Sequence, residues 1–301
     1  MPIQDPINPF KSYEVQTKVL QKSFEDVVKA NEATIAASQK GMAGDYRALL
    51  KRLKEIVANA HEQYAKAGRL NWQELNRYSR IRNLEADVDT AIRDHYGAIR
   101  KRAIQDERLV IENTYSGGIA AISAAAGLSV KPEISGKMIN EILSRPWSGI
   151  SPQERLYLRQ KYLGVQINGQ IKRDVMGEGS TLGESAKNLE KIITKDFAGT
   201  AKDVENTAHQ LQSDTQQQAI DRMSEEDIEI YKTWVTVGDN RVREAHEILD
   251  GQKVSANDMF EIPSGDYRGF KADAPGLFGI EALDINCRCY MVTSVEPKEK
   301  E

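Results

Sequence analysis

Residues 231–251 read YKTWVTVGDNRVREAHEILDG, and the character of the chain changes there. Upstream, apolar residues recur at three- and four-residue steps. Here Tyr231 to Val237 is β-branched and aromatic and reads as a strand. Asp239 is placed to cap a helix running to Asp250, with Gly251 as its stop. On that helix Val242, Ala245, Ile248 and Leu249 face a core. Asp239, Arg243, His246 and Asp250 share the opposite face, with Arg243 one turn from Asp239 and able to pair with it. A face of that kind is ordinarily a solvated ionic stripe. A loop with Pro263, Gly265, Gly269, Pro275, Gly276 and Gly279 then leads to Cys287–Val295, which reads as a second strand.

Upstream of this module the chain reads as helix. Residues 1–10 hold three prolines and read as an irregular arm. A stripe of Val15, Val19, Phe24, Val27, Val28 and Ile35 is expected to break at Gly41 and Gly44. A second stripe runs from Tyr46 through Leu49, Leu53 and Val57 to Tyr64 and stops at Gly68. Asn71, with Glu74 reaching back, starts a long helix toward Leu109. The run GGIAAISAAAGL, Gly117 to Leu128, reads as a tightly packed helix or a helix–helix turn and is too short to span a bilayer. Further helices open at Ser135, at Ser151-Pro152 and at Thr181-Leu-Gly-Glu184, and Arg145–Gly149 reads as a turn. Residues 199–222 are polar and Gln-rich and read as a solvated helix. Ser224–Asp227 then caps one more turn. The expected class is mainly α, a long helical N-terminal and middle region followed by a small α+β C-terminal domain. The expected divisions are 1–130, 131–228, the module 229–296 and a loose tail 297–301.

Composition narrows the function. The 301 residues are 40% apolar and 29% charged, enough for about two folded domains. Aromatics at 7% argue against a large all-β protein. A net charge of −4 argues against a strongly basic DNA-coating protein. Local basic clusters exist, Arg47, Lys51, Arg52 and Lys54 in one and Arg100, Lys101 and Arg102 in another. Their plain reading is solvated helix faces, and the other is contact with duplex DNA without sequence preference. The start lacks the basic and apolar pattern of an export signal, and no membrane anchor is expected. Two cysteines do not staple a secreted scaffold of this size, so a reducing compartment fits.

Those cysteines, Cys287 and Cys289, fall on one face of an extended segment. Three readings stay open: two buried thiols, soft ligands for Zn²⁺ together with His246, or a disulfide. The last would be strained, because the α-carbons are roughly 6.6 Å apart. A fourth zinc ligand would be Asp239 or Asp250, water, or another chain. His61, His95 and His209 lie on predicted helices with no obvious carboxylate or cysteine partner. No nucleotide-binding glycine loop, zinc-protease or serine-hydrolase motif is present. The remaining catalytic option is a metal-dependent hydrolase or nuclease built on His246, Cys287 and Cys289 with an acid.

The run from Trp234 through Asp239, Arg243 and His246, then Asp250-Gly251, Phe260, Pro275-Gly276 and finally Asn286-Cys287-Arg288-Cys289, resembles the Mu F-like phage head morphogenesis family. Arg145-Pro146-Trp147-Ser148-Gly149 and Glu154-Arg155 resemble its middle segment, so the likeness covers roughly 145–295. One departure stands out. Where that family commonly has an Arg-Thr-Glu step, this chain has Glu205-Asn206-Thr207-Ala208. The resemblance implies a minor capsid protein of a tailed phage or prophage, not an enzyme. Such a protein is made in the host cytoplasm and built into the head in few copies. It associates there with the portal protein, with scaffold or major capsid protein and packaged double-stranded DNA as further partners, and it assists DNA ejection. It also implies that Trp234, Asp239, Arg243, His246, Asp250, Gly251, Asn286 and Arg288 form one linked structural cluster with the two cysteines.

Overall fold

The computed structural model describes residues 9–147, 149–176, 178–226 and 228–296, with the side chains of residues 9–17 and 78 left out of that description. Most of the arm expected at 1–10, the tail 297–301, Ser148 and Asp227 therefore lie outside the described residues; Pro9 and Phe10 already belong to a helix. The helices are α1 (Pro9–Tyr64), α2 (Trp72–Leu75), α3 (Arg80–Ala126), α4 (Gly136–Ser144), α5 (Pro152–Val175), α6 (Leu182–Ser224), α7 (Glu244–Glu247) and α8 (Glu281–Asp284), with a 3₁₀ turn at Arg77–Ser79. The strands are β1 (Ala65–Lys66), β2 (Arg69–Leu70), β3 (Glu229–Val235), β4 (Lys253–Ser255), β5 (Phe260–Glu261), β6 (Lys271–Ala272) and β7 (Tyr290–Glu296). Long helices followed by a small strand-bearing region are what the sequence pattern called for.

The chain folds into two compact units. One is made of residues 36–105 and 152–204, the other of residues up to 35, 106–151 and 205 onward. The first is purely helical apart from the β1–β2 hairpin. Its core holds Met42, Leu49, Leu53 and Val57 of α1, Val88, Ile92 and Ile99 of α3, Leu163 and Ile167 of α5, and Leu189 and Ile193 of α6. Inside it the hydroxyls of Tyr46 and Tyr96 both reach Asp196 Oδ2 at 2.8 Å, and the Thr200 hydroxyl lies 2.9 Å from the Tyr46 oxygen.

Gly41 and Gly44 do not end α1. A helical glycine costs about 1 kcal/mol, and the buried Met42, Tyr46 and Leu49 outweigh it. Gly41 leaves room: a Cβ there would lie 2.6 Å from the Arg102 guanidinium, which reaches past it to Asp45 at 3.1 Å. Asn71 caps α2 through Gln73 N–H, as expected, but Glu74 turns to Lys66 and Arg77 instead of reaching back. Thr181 and Glu184 form the reciprocal capping pair at the start of α6.

The second unit contains the module. The sheet order is β4-β3-β7, all antiparallel, with Trp234 opposite Met291 and Lys232 opposite Thr293. One face packs Ile230, Trp234 and Met291 with Leu249, Phe260 and Leu283, closed by Ile119 and Ile122 of α3 and Ile220 and Met223 of α6. The Gly117-Gly118 pair is helical and close-packed. A Cβ on Gly117 would sit 2.5 Å from Val27, and one on Gly118 would sit 3.1 Å from Ala219. In α1 the buried position falls to Leu20, and Val19 points outward.

Three expectations fail here. First, α6 over 205–224 is not solvated: Gln210, Gln212, Ser213, Asp214, Thr215, Gln216 and Gln217 are all buried. Second, Ser224 ends α6, its hydroxyl bonded back to Ile220 O, and caps no further turn. Third, the helix expected from Asp239 to Asp250 shrinks to the four residues Glu244–Glu247, flanked by turns. Ile248 is consequently exposed and His246 buried, the reverse of the predicted faces.

Candidate functional site

The site grows from the buried polar face of α6. Hydrogen-bonding side chains on one helix can satisfy loop carbonyls and amides that have no ladder of their own. Gln216 Nε2 donates to Met291 O at 3.0 Å, and Gln217 Nε2 to Ala256 O at 3.2 Å. Gln210 Nε2 reaches Gly276 O at 3.4 Å. Asn206 Oδ1 accepts the Asn286 N–H at 2.9 Å. Asn286 has a left-handed φ of 61°, so the chain turns sharply just before Cys287.

That turn delivers the cysteines. Cys287 and Cys289 lie in extended chain ahead of β7, not within it, and the alternation still points both sulfurs the same way. Across from them, α7 presents His246. Its Nδ1 is 3.7 Å from Cys287 Sγ and 3.6 Å from Cys289 Sγ, and the three groups lie within 4.8 Å of one another. His246 is 1% exposed, Cys287 6% and Cys289 7%. Both cysteines are free thiols. Trp234 meets the His246 ring edge-on at 5.4 Å, and Phe278 stacks on it at 6.0 Å. His246 Nε2 is buried without a hydrogen bond.

The two sulfurs are driven in opposite directions. Cys289 is pulled down to about 5, chiefly by the hydrogen bond from Cys287 and then by His246 and Trp234. Cys287 is pushed well above the usual thiol range by the same contact and by burial.

The remaining cluster residues hold this arrangement without entering it. Arg243 does not pair with Asp239. α7 is too short to bring the two one turn apart, and Arg243 instead donates to the carbonyls of Leu283, at 3.3 Å, and Ile285. Asp239 is taken by Arg288, whose Nη2 lies 2.7 Å from both carboxylate oxygens and, as the leading cause, holds that carboxyl below its usual range. Asp250 accepts from Thr236 N–H at 2.7 Å and from its hydroxyl, closing the turn after β3. Gly251, at φ 77°, returns its N–H to Trp234 O. Neither Asp239 nor Asp250 joins His246 and the sulfurs.

Several contributors escaped the sequence reading. Lys232 is fully buried, its Nζ 2.9 Å from Gln217 Oε1 and 2.9 Å from Asp273 O, and burial lowers its pKa. The strand alternation carried the signal, because Lys232 shares a face with Ile230 and Trp234. Asp284 holds the N–H groups of Phe278 and Gly279 at 2.8 Å each. His209, read as lacking an acid partner, lies 2.7 Å from Glu32. Of the basic residues, Arg52 pairs with Asp94, Arg102 with Asp45, Lys51 with Glu55, and Arg100 donates to Gln160. Arg47 and Lys101 are exposed.

Residues 166–292, from within α5 to β7, match the model of the family described as Phage Mu protein F like protein. The chain is also similar to the minor head protein GP7 of Bacillus phage SPP1, 21% identical over 279 residues, 90% of this chain and 87% of that protein. It is 27% identical over 165 residues, 55% of this chain, to the NAD(+)--arginine ADP-ribosyltransferase EFV of Enterococcus faecalis, and spans about a third (33%) of that protein's length. No solved structure matches. No helix among the described residues is long and apolar enough to cross a membrane.

Proposed function

We propose that this chain is a minor head protein of a tailed phage or prophage. It is assembled in the host cytoplasm and carried inside the capsid next to the portal protein. The observation that carries the reading is the likeness to the SPP1 minor head protein along nearly the whole of both chains, joined to the Mu F-like match over the module. The structure suits the role. Long helices supply extended faces for partners, and α5 leaves Leu158, Tyr162 and Val165 exposed at helical spacing.

Packaged DNA is a second contact in this reading, through Arg47 and Lys101 with Arg100 and Lys51 beside them. Most of the basic side chains there already have a partner, so the contact is weak and falls steeply with salt. Scaffold and major capsid protein are further partners, and help with DNA exit belongs to the same reading. A hydrolase or nuclease built on His246 and the cysteines is disfavoured by burial, which leaves a substrate no approach to any of the three. The ADP-ribosyltransferase likeness spans too little of that protein to bring its activity along.

Quantitative mass spectrometry of purified particles tests the proposal. The chain should be present in few copies and should disappear from heads assembled without portal. Its absence from particles, or an unchanged level without portal, would refute the assignment.

A further inference from the structure

We propose that His246 Nδ1, Cys287 Sγ and Cys289 Sγ are three ligands of a structural Zn²⁺ ion that locks the module. The inference rests on geometry within the module and stands apart from the head-protein reading.

Zinc bonds of about 2.3 Å to sulfur and about 2.05 Å to nitrogen, set at tetrahedral angles, put sulfur and nitrogen about 3.6 Å apart. The two Nδ1–Sγ distances are 3.7 and 3.6 Å. Hydrogen bonding explains this symmetry poorly. A single ring nitrogen has either one proton or one lone pair in the ring plane and cannot aim it at two sulfurs equally. A cation between the three atoms satisfies all of them at once.

The donor chemistry agrees. Two sulfurs and one imidazole form a soft set that selects zinc over calcium or magnesium. Two thiolates neutralise the charge of the ion, so the buried complex carries no net charge to desolvate. No other His, Cys, Asp or Glu among the described residues joins the group. The fourth position therefore falls to a water molecule or a backbone carbonyl.

The mechanical consequence is specific. The ion ties α7 to the strand entry 41 and 43 residues further on. The loops in between carry only the short β4, β5 and β6 and the single turn of α8. Such a segment gains most from a clip that closes it.

The full chain, purified without chelator, should carry one zinc per molecule by elemental analysis. Replacing zinc with Co²⁺ should give thiolate-to-cobalt charge-transfer absorption in the near ultraviolet and the visible bands of a four-coordinate ion. Cys287→Ser and Cys289→Ser should each weaken the charge-transfer band, and chelator should lower the melting temperature of the wild type but not of a Cys287→Ser/Cys289→Ser double variant. Folded wild-type chain that holds neither zinc nor cobalt after incubation with excess metal overturns the proposal, and this arm needs no variant to fold. Metal that stays bound with no sulfur-to-cobalt band overturns it equally.

Discussion

Glu107 should make the unit that contains it lose stability as the pH rises. It is 2% exposed on α3, and its Oε2 is buried without a hydrogen bond. Burial, and then the neighbouring Asp106 carboxylate, raise its pKa from 4.5 to about 7. A folded pKa above the unfolded one means the folded chain keeps a proton that the unfolded chain has released. The stability from burying the neutral acid is complete below about pH 4.5 and is lost as the pH climbs through 7. The gap from 4.5 to about 7 corresponds to about 3 kcal/mol in full. Between pH 5 and 8 the loss is about 2.5 kcal/mol. Glu107→Gln has no proton to lose. Its stability relative to wild type, from urea unfolding, should therefore improve by about 2 kcal/mol or more on going from pH 5 to pH 8. Comparing the two pH values cancels the fixed cost of burying an amide in place of an acid. A Glu107→Gln variant that tracks wild type at both pH values would show that the carboxyl is solvated or paired, and the reasoning would fail.

Three further outcomes follow from the same structure. His95 is buried against Tyr46 and Tyr96, and burial lowers its pKa to about 4. Because the unfolded imidazole protonates first, its contribution is complete above about pH 6.5 and falls by about 3 kcal/mol toward pH 4; His95→Gln should flatten that part of the unfolding curve. Two glycines of α3 should respond oppositely to alanine. Gly97→Ala, exposed and with nothing within 4 Å, should stabilise by about 1 kcal/mol. Gly118→Ala, pressed on an Ala219 methyl that has no rotamer to escape into, should destabilise by about 1 kcal/mol or more net of that gain, and equal urea midpoints for the two variants would contradict the packing. Trp234→Ala, emptying a fully buried position against Phe260 and His246, should cost about 3–5 kcal/mol by chemical unfolding.

Helix existence was legible at Ser135, Pro152 and Thr181, where an apolar stripe met a cap. The two long strands were legible because Glu229–Val235 and Tyr290–Glu296 are dense in β-branched and aromatic residues. What escaped was tertiary. Gly41 looks like a breaker until Arg102 is seen to need the space. The Gln-rich run of α6 looks solvated because polarity alone does not tell water from loop carbonyls as partners. Asp239 and Arg243 sit four apart and so look paired, yet the helix that would join them never forms and Arg288 claims the acid. The meeting of His246 with both cysteines was readable as one option from spacing. The distances that give it chemical content depend on the Asn286 turn, which nothing local to the CRC run announces.

The glutamine face of α6 has a bearing on how this protein can be dissected. A fragment starting at β3 would leave the carbonyls of Ala256, Gly276 and Met291 without their α6 donors, and Lys232 without one of its two acceptors. It would also strip Ile220 and Met223 from the apolar floor beneath Trp234. The smallest piece able to stand alone must bring its helix along, and the boundary of the family match, which opens well upstream within α5, already includes it.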